Sequence, residues 1–252
     1  MNIYVNSFSE YYVEMSRKNG IGLEVIQYAD PNFLDDFNEN HNEITRMMDG
    51  LPKISMHGSY FDLFHNSVDP LIREVSEKRY MQSVQAALYH GIKKIVLHSA
   101  YRKHIDGHSQ KALNLFIEKS IAFWKQFESN IPEGTTIYIE NVEDENPEVL
   151  NEIIEEIGSH KVQCCFDIGH AFANSPVSLE KWIDDLNDNI GHVHIHDNDG
   201  ESDQHLPLGK GSIPLLQTIH SLIQQSNPNV PFIMECEVKE SIEWLNRNGL
   251  FK

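Results

Sequence analysis

Between His192 and His205 the chain reads HVHIHDNDGESDQH, four histidines, three aspartates and a glutamate within fourteen residues. Imidazoles and carboxylates at this density suit a divalent cation, which takes mixed nitrogen and oxygen ligands. Other residues of the same types recur along the chain. His57, His98, Glu140, Asp167, His194 and Glu235 each close a short run rich in Val and Ile. A single histidine at such a place reads as structural. Six in succession do not, because uncompensated acids gathered in one place repel and are costly to desolvate. An ion resolves that conflict. His170 follows Asp167 by three residues, and Asp203 and His205 stand two apart, on one side of an extended segment. The candidate ligand set is therefore His57, His98, Glu140, Asp167, His170, His194, Asp203, His205 and Glu235. Nine ligands exceed what one ion can hold, so two or three ions are expected. Zinc is favoured, with manganese or iron as alternatives. His196 competes with His194, and Glu237 with Glu235, for the same places.

The elements that must position these residues follow a repeating pattern. Strand candidates begin at Asn2, Gly22, Lys53, Lys93, Thr136, Val162, His192 and Val230. Most are short, β-branched and bounded by Gly, Pro, Ser or Asn, as strands buried on both faces of a parallel sheet are. Amphipathic stretches lie between them. PLIREVSEKRYMQSVQAALYHG stops at Gly91, and NPEVLNEIIEEIG offers Asn146 as a cap with Pro147 at the first helical position. Eight such units in 252 residues predict one (β/α)8 TIM barrel spanning 1–252, with the chemistry at the C-terminal mouth. An open doubly wound sheet would need a glycine-rich phosphate turn after an early strand, and NSFSEYY is not one.

Charge narrows the partners. The net charge of −18 opposes the basic footprint that nucleic-acid binding requires, and the segments NSFSEYY and QYADPNFLDDFNEN carry no Arg or Lys. A small-molecule substrate is expected, with neither nucleic acid nor membrane as partner. No apolar run approaches the roughly 20 residues of a membrane span. The first residues lack the basic start and apolar stretch of a signal peptide, and the three cysteines suit reduced thiols, so the expected location is cytoplasmic.

HGSY, VLHS, IYIENV, DIGHAFA, HVHIHD, DQHLPLGKG and IMECE together resemble the xylose isomerase-like barrels, which include endonuclease IV and the sugar and sugar-phosphate isomerases and epimerases. The resemblance implies that His57, His98 and Glu140 serve one ion. It gives Glu140, Asp167, His194 and Glu235 a second, with Glu140 bridging, and His170, Asp203 and His205 a third. It also implies two reactions. Clustered ions would activate water for phosphoester hydrolysis of a small, sugar-like substrate. One ion held by the four shared residues would instead serve isomerisation or epimerisation, with Glu140 and Glu235 as the acid–base catalytic pair. Hydrolysis leads, since the five further ligands are surplus to a one-ion isomerase. Abasic-site cleavage of DNA ranks below both, on charge, and a metal-storage module that has lost activity ranks last.

Tyr60 and Phe61 are expected in the wall of a small-molecule pocket. Arg102, in YRKHIDGH, and Lys210, in the GKG turn, are candidate phosphate contacts, and His196 is a further substrate contact. GKG without the rest of a phosphate loop reads equally as a simple turn.

Overall fold

A computed structural model describes residues 1–51, 53–225 and 229–251, without the side chains of 37–39. Eight strands form a closed barrel: β1 Asn2–Asn6, β2 Gly22–Val25, β3 Ile54–His57, β4 Lys94–His98, β5 Thr136–Glu140, β6 Val162–Asp167, β7 Ile190–Ile195 and β8 Pro231–Met234. Each pairs in parallel with its sequence neighbour, and β8 closes on β1. The expected (β/α)8 barrel is what the chain forms.

The helices lie outside, and their ends follow the cap chemistry of the sequence. Asp69 accepts from Leu71 N–H to start the helix Pro70–Tyr89, and Ser109 from Ala112 N–H to start Gln110–Glu128. Asn146 does the same for Pro147–Ile157, which ends on Gly158 at φ +65°, a left-handed position that glycine adopts without strain. The apolar faces of these helices pack on the outward side chains of the strands. Phe166 of β6 stacks on Trp182 of the helix Leu179–Leu186 at 5.7 Å, and both are fully buried.

The segments after β1 and β2 turn within a few residues into helices Glu10–Asn19, Pro31–Asp35 and Phe37–Met48. Asp30 caps the second of these, with Pro31 at its first position. β8 is shorter than its apolar run suggests, so Glu235 lies one residue beyond it, its N–H still bonded to Ile195 O at 3.1 Å.

Strand register builds the mouth. Across β4 and β5 it sets His98 opposite Glu140, and across β6 and β7 it sets Asp167 opposite His194. Lower in the barrel, Glu24 on β2 stands opposite Ser55 on β3.

Candidate metal centre

The nine candidate ligands converge at the C-terminal mouth as three adjoining groups, and within each group the potential ligand atoms lie within 4.8 Å of one another. In the first, His57 Nε2 is 3.1 Å and His98 Nε2 3.5 Å from Glu140 Oε2. In the second, His194 Nδ1 is 3.1 Å from Glu140 Oε1, 3.4 Å from Glu235 Oε1 and 3.8 Å from Asp167 Oδ2. In the third, His170 Nε2 and His205 Nε2 each stand 3.2 Å from Asp203 Oδ2. Ligands about 2.0–2.3 Å from a tetrahedral ion stand roughly 3.3–3.8 Å apart. These contacts within the three groups, 3.1 to 3.8 Å, fall near that spacing. Glu140 belongs to two groups, one through each oxygen.

His196 joins the third group, its Nε2 3.5 Å from Asp203 Oδ1 and 3.2 Å from Asp167 Oδ1. It is fully buried, and neither ring nitrogen has a hydrogen-bond partner among the described residues. Asp167 Oδ2 is likewise buried without one. Such atoms are costly to leave unsatisfied, and a cation would satisfy both. The glycine of DIGH makes room for this ring, since a Cβ on Gly169 would come 2.0 Å from His196 Cε1.

Backbone groups aim several of the rings. Nδ1 of His57, His170 and His205 lies 2.9, 3.0 and 2.7 Å from the carbonyl oxygens of Gly58, Asn141 and Glu235. A proton held there turns each Nε2 lone pair towards the mouth. Asn141 also clamps Asp167 at both backbone groups, accepting from its N–H and donating to its carbonyl, each at 2.9 Å. His205 adopts φ +48°, unusual for a non-glycine residue and typical of strained functional positions.

The electrostatics are those of carboxylates and imidazoles sharing protons. Burial opposes the charge on Glu140, yet His194, His170 and His57 hold its carboxyl well below the usual range. Burial likewise opposes a charge on His170 and His194. Asp167 lifts the first, and Glu235 and Glu140 help lift the second, well above an ordinary histidine. His205 is pushed up to about 9, chiefly by Asp203 against the cost of burial. His98 goes the other way, to about 3, because burial outweighs Glu140. Burial, with Glu140 and Asp167 nearby, raises Glu235.

A cavity of about 550 Å³ opens over the groups. His57, His98, Glu140, His170, Asp203, His205 and Glu235 line its floor, and Phe8, Tyr12, Ile26, Ala29, Tyr60 and Val142 its wall. Tyr60 stacks on His98 at 4.2 Å, and Phe61 packs on Tyr60 at 4.3 Å. Arg102, Lys210, the exposed Phe61 and the fully buried His196 are not brought into this lining. Arg102 pairs with Asp106 at 3.1 Å and lies over the Phe64 ring, and Lys210 pairs with Glu240 at 3.4 Å. The GKG turn instead serves Asp197, whose carboxylate accepts from the N–H groups of Gly209 and Ile213. Glu237 caps the helix Val238–Arg247 and accepts from Tyr12 Oη at 3.1 Å, leaving Glu235 as the acid beside His194.

Sequence reasoning misses Asn141 and Glu24. Glu24 is fully buried in β2, 2.8 Å from His192 Nε2 and 3.0 Å from His194 Nε2. Its signal is a lone carboxylate inside the apolar run GLEVIQ.

Eight parallel strands closed into a barrel, with carboxylates and histidines gathered at the mouth, place the chain among the TIM barrels. The family model described as the xylose isomerase-like TIM barrel matches residues 19–248, and the chain belongs to that family. It is 36% identical over 167 residues to the uncharacterised protein MJ1614 of Methanocaldococcus jannaschii, an alignment covering 64% of this chain and 62% of that one. The chain thus spans about three fifths of that relative's length. Among solved structures, TTHB071 protein from Thermus thermophilus, soaked with ZnCl2, superposes with a TM-score of 0.74 at 21% identity over 98% of both chains. A D-tagatose 3-epimerase-like protein superposes with a TM-score of 0.78 at 20% identity, over 98% of this chain and 97% of that one. At these identities the likeness is one of fold. No helix among the described residues is long and apolar enough to cross a membrane.

Proposed function

We propose that the protein is a divalent-metal-dependent enzyme with a multinuclear centre that hydrolyses phosphoesters of small, sugar-like molecules. One observation carries this reading: Glu140 divides its oxygens between the His57/His98 pair and His194, as a carboxylate shared by two ions does. His57, His98, Glu140, Asp167, His194 and Glu235 would hold two ions, and His170, Asp203 and His205, with His196 adjacent, a third. When bound, such ions supply Lewis-acid stabilisation of a phosphoryl group and lower the pKa of water.

The chain's own groups do the rest. Glu140 or Glu235, both at the cavity floor, would orient the attacking water. Tyr12 and Tyr60 would screen the floor from bulk solvent and, with the exposed Phe8, offer flat faces to the substrate body. With Arg102 and Lys210 committed to Asp106 and Glu240, charge compensation for the phosphoryl group falls to the mouth itself.

The test is a panel of small phosphomonoesters and diesters, with Zn²⁺ or Mn²⁺ added to metal-stripped protein. Metal-dependent phosphate release supports the reading. Absence of turnover across the panel by protein carrying two or more ions contradicts it.

One observation favours a second reading, sugar isomerisation or epimerisation. Glu140 and Glu235 both border the cavity beside His194, as an acid–base pair around one ion would. Solvent deuterium incorporated into carbon-bound positions of sugars would support that reaction, and none across a broad sugar panel would exclude it.

A further inference from the structure

The histidines of the mouth are aimed in two ways. For His57, His170 and His205 the distal nitrogen is Nδ1 and it meets a backbone carbonyl. His194 is reversed. Its Nδ1 faces Glu140 and Glu235, and its Nε2 points down into the barrel. What stands there is Glu24, in the middle of β2, with Oε1 3.0 Å from His194 Nε2. The contact is an ion-pair approach, and among the described residues neither atom has a hydrogen-bond partner.

We infer that Glu24 is a positioning residue for the metal centre: it keeps the proton of His194 on Nε2 and so leaves the Nδ1 lone pair free for an ion. The inference rests on reading Glu140, Asp167, His194 and Glu235 as an ion-holding group.

The surroundings of Glu24 leave it little else to do. Its Oε2 accepts from Ser55 Oγ–H at 2.8 Å and pairs with His192 Nε2 at 2.8 Å, so the carboxylate is anchored to β3 and β7 at once. Oε1 is then the oxygen left for His194. Cys165 also lies close to His192 and His194, but a thiol sulfur is a weaker hydrogen-bond acceptor than a carboxylate oxygen. A carboxylate behind a metal-binding histidine fixes its tautomer and raises its basicity, and losing such a partner costs about 10–100-fold in metal affinity.

Glutamine at this position is the sharp perturbation because it keeps the shape. Its oxygen could still serve Ser55 and His192, but its amide N–H₂ would then face His194 Nε2. That nitrogen would have to accept, and the imidazole proton would move to Nδ1, the side that must bind the ion.

The experiment uses full-length wild type and Glu24→Gln, stripped and reloaded with Zn²⁺. Chelator competition gives the affinities, elemental analysis gives the count, and imidazole ¹H–¹⁵N correlation spectra give the tautomers. The expected result is an Nε2-protonated, Nδ1-bound His194 in the wild type. Glu24→Gln should lose about 10–100-fold in affinity for one class of ion, and Glu24→Asp should recover part of it.

Unchanged affinity in folded Glu24→Gln, or a wild-type His194 protonated on Nδ1, overturns the inference. Should Glu24→Gln fail to fold, Glu24→Asp takes its place, and an affinity equal to the wild type's for every ion overturns the inference. If the wild type fills its other sites but leaves His194 without an ion, the ion-holding reading falls and takes this inference with it. If His194 binds zinc but is indifferent to Glu24, only the inference falls.

Discussion

Replacing Glu140 by glutamine should dismantle two of the three ligand groups and spare the third. Glu140 is buried, and four histidines approach it: His57, His98, His170 and His194, at 3.1 to 3.5 Å. Glutamine keeps the shape but removes the charge and one accepting oxygen. Removing one partner of a buried ion pair costs about 3–5 kcal/mol, because the other is left uncompensated. For a chain of this size each kcal/mol moves the melting temperature by roughly 2–4 °C. Metal-free Glu140→Gln should therefore melt on the order of 10 °C below metal-free wild type, the uncompensated imidazoles relieving part of the cost by deprotonating. Its metal content should fall further than a single-ligand loss implies, leaving only the ion held by His170, Asp203 and His205, a group that excludes Glu140 even though Glu140 lies 3.4 Å from the far ring nitrogen of His170. Scanning calorimetry in the presence of chelator measures the first effect, and elemental analysis after dialysis measures the second. A variant as stable as wild type that also keeps its full complement of ions would refute Glu140 as a shared ligand.

Asp203→Ala should remove one ion and leave the others, because Asp203 contacts His170, His196 and His205 but neither His57 nor His98; elemental analysis shows whether a single equivalent goes. pH should act oppositely on stability and metal binding. His170, His194 and His205 have raised values in the folded protein, so the stability they contribute without metal is complete below about pH 6.5. It is lost as pH rises, through about 9 for His205. Over the same window zinc affinity should increase, since the ion displaces those protons; calorimetric melting and chelator competition at about pH 6, 7.5 and 9 check both slopes. Trp182→Ala, in the helix layer outside the barrel, should cost about 3–5 kcal/mol through the cavity left beside Phe166 and leave the metal count of the folded protein unchanged.

Most of the mouth is readable from the sequence for a simple reason. His57, His98, Glu140, Asp167 and His194 sit at or near the ends of apolar, β-branched runs, and in a parallel barrel those ends meet at one face. Asp203 and His205 are readable from their spacing alone. What escapes depends on partners far along the chain. Arg102 and Lys210 look available for a phosphate until Asp106 and Glu240 are seen to hold them. Gly209 and Gly211 look like a phosphate turn, but Gly209 donates to Asp197, and Gly211 packs against Asp197 and Asn198. The resemblance assigns His194 a place in the metal core, whereas His196 as a neighbour of the third group depends on ring positions that alternation along β7 does not fix. Glu24 escapes because a buried acid has a role only once the strand it faces is known, and that strand, β7, is 168 residues away.

The most direct measurement is anomalous diffraction from crystals of the zinc-loaded protein, collected on both sides of the zinc edge. Two or three ions are expected at the mouth, one on each side of Glu140 and the remaining one among His170, Asp203 and His205. A single ion held by Glu140, Asp167, His194 and Glu235, with the other groups empty at saturating zinc, would contradict the multinuclear reading and with it the proposed hydrolysis.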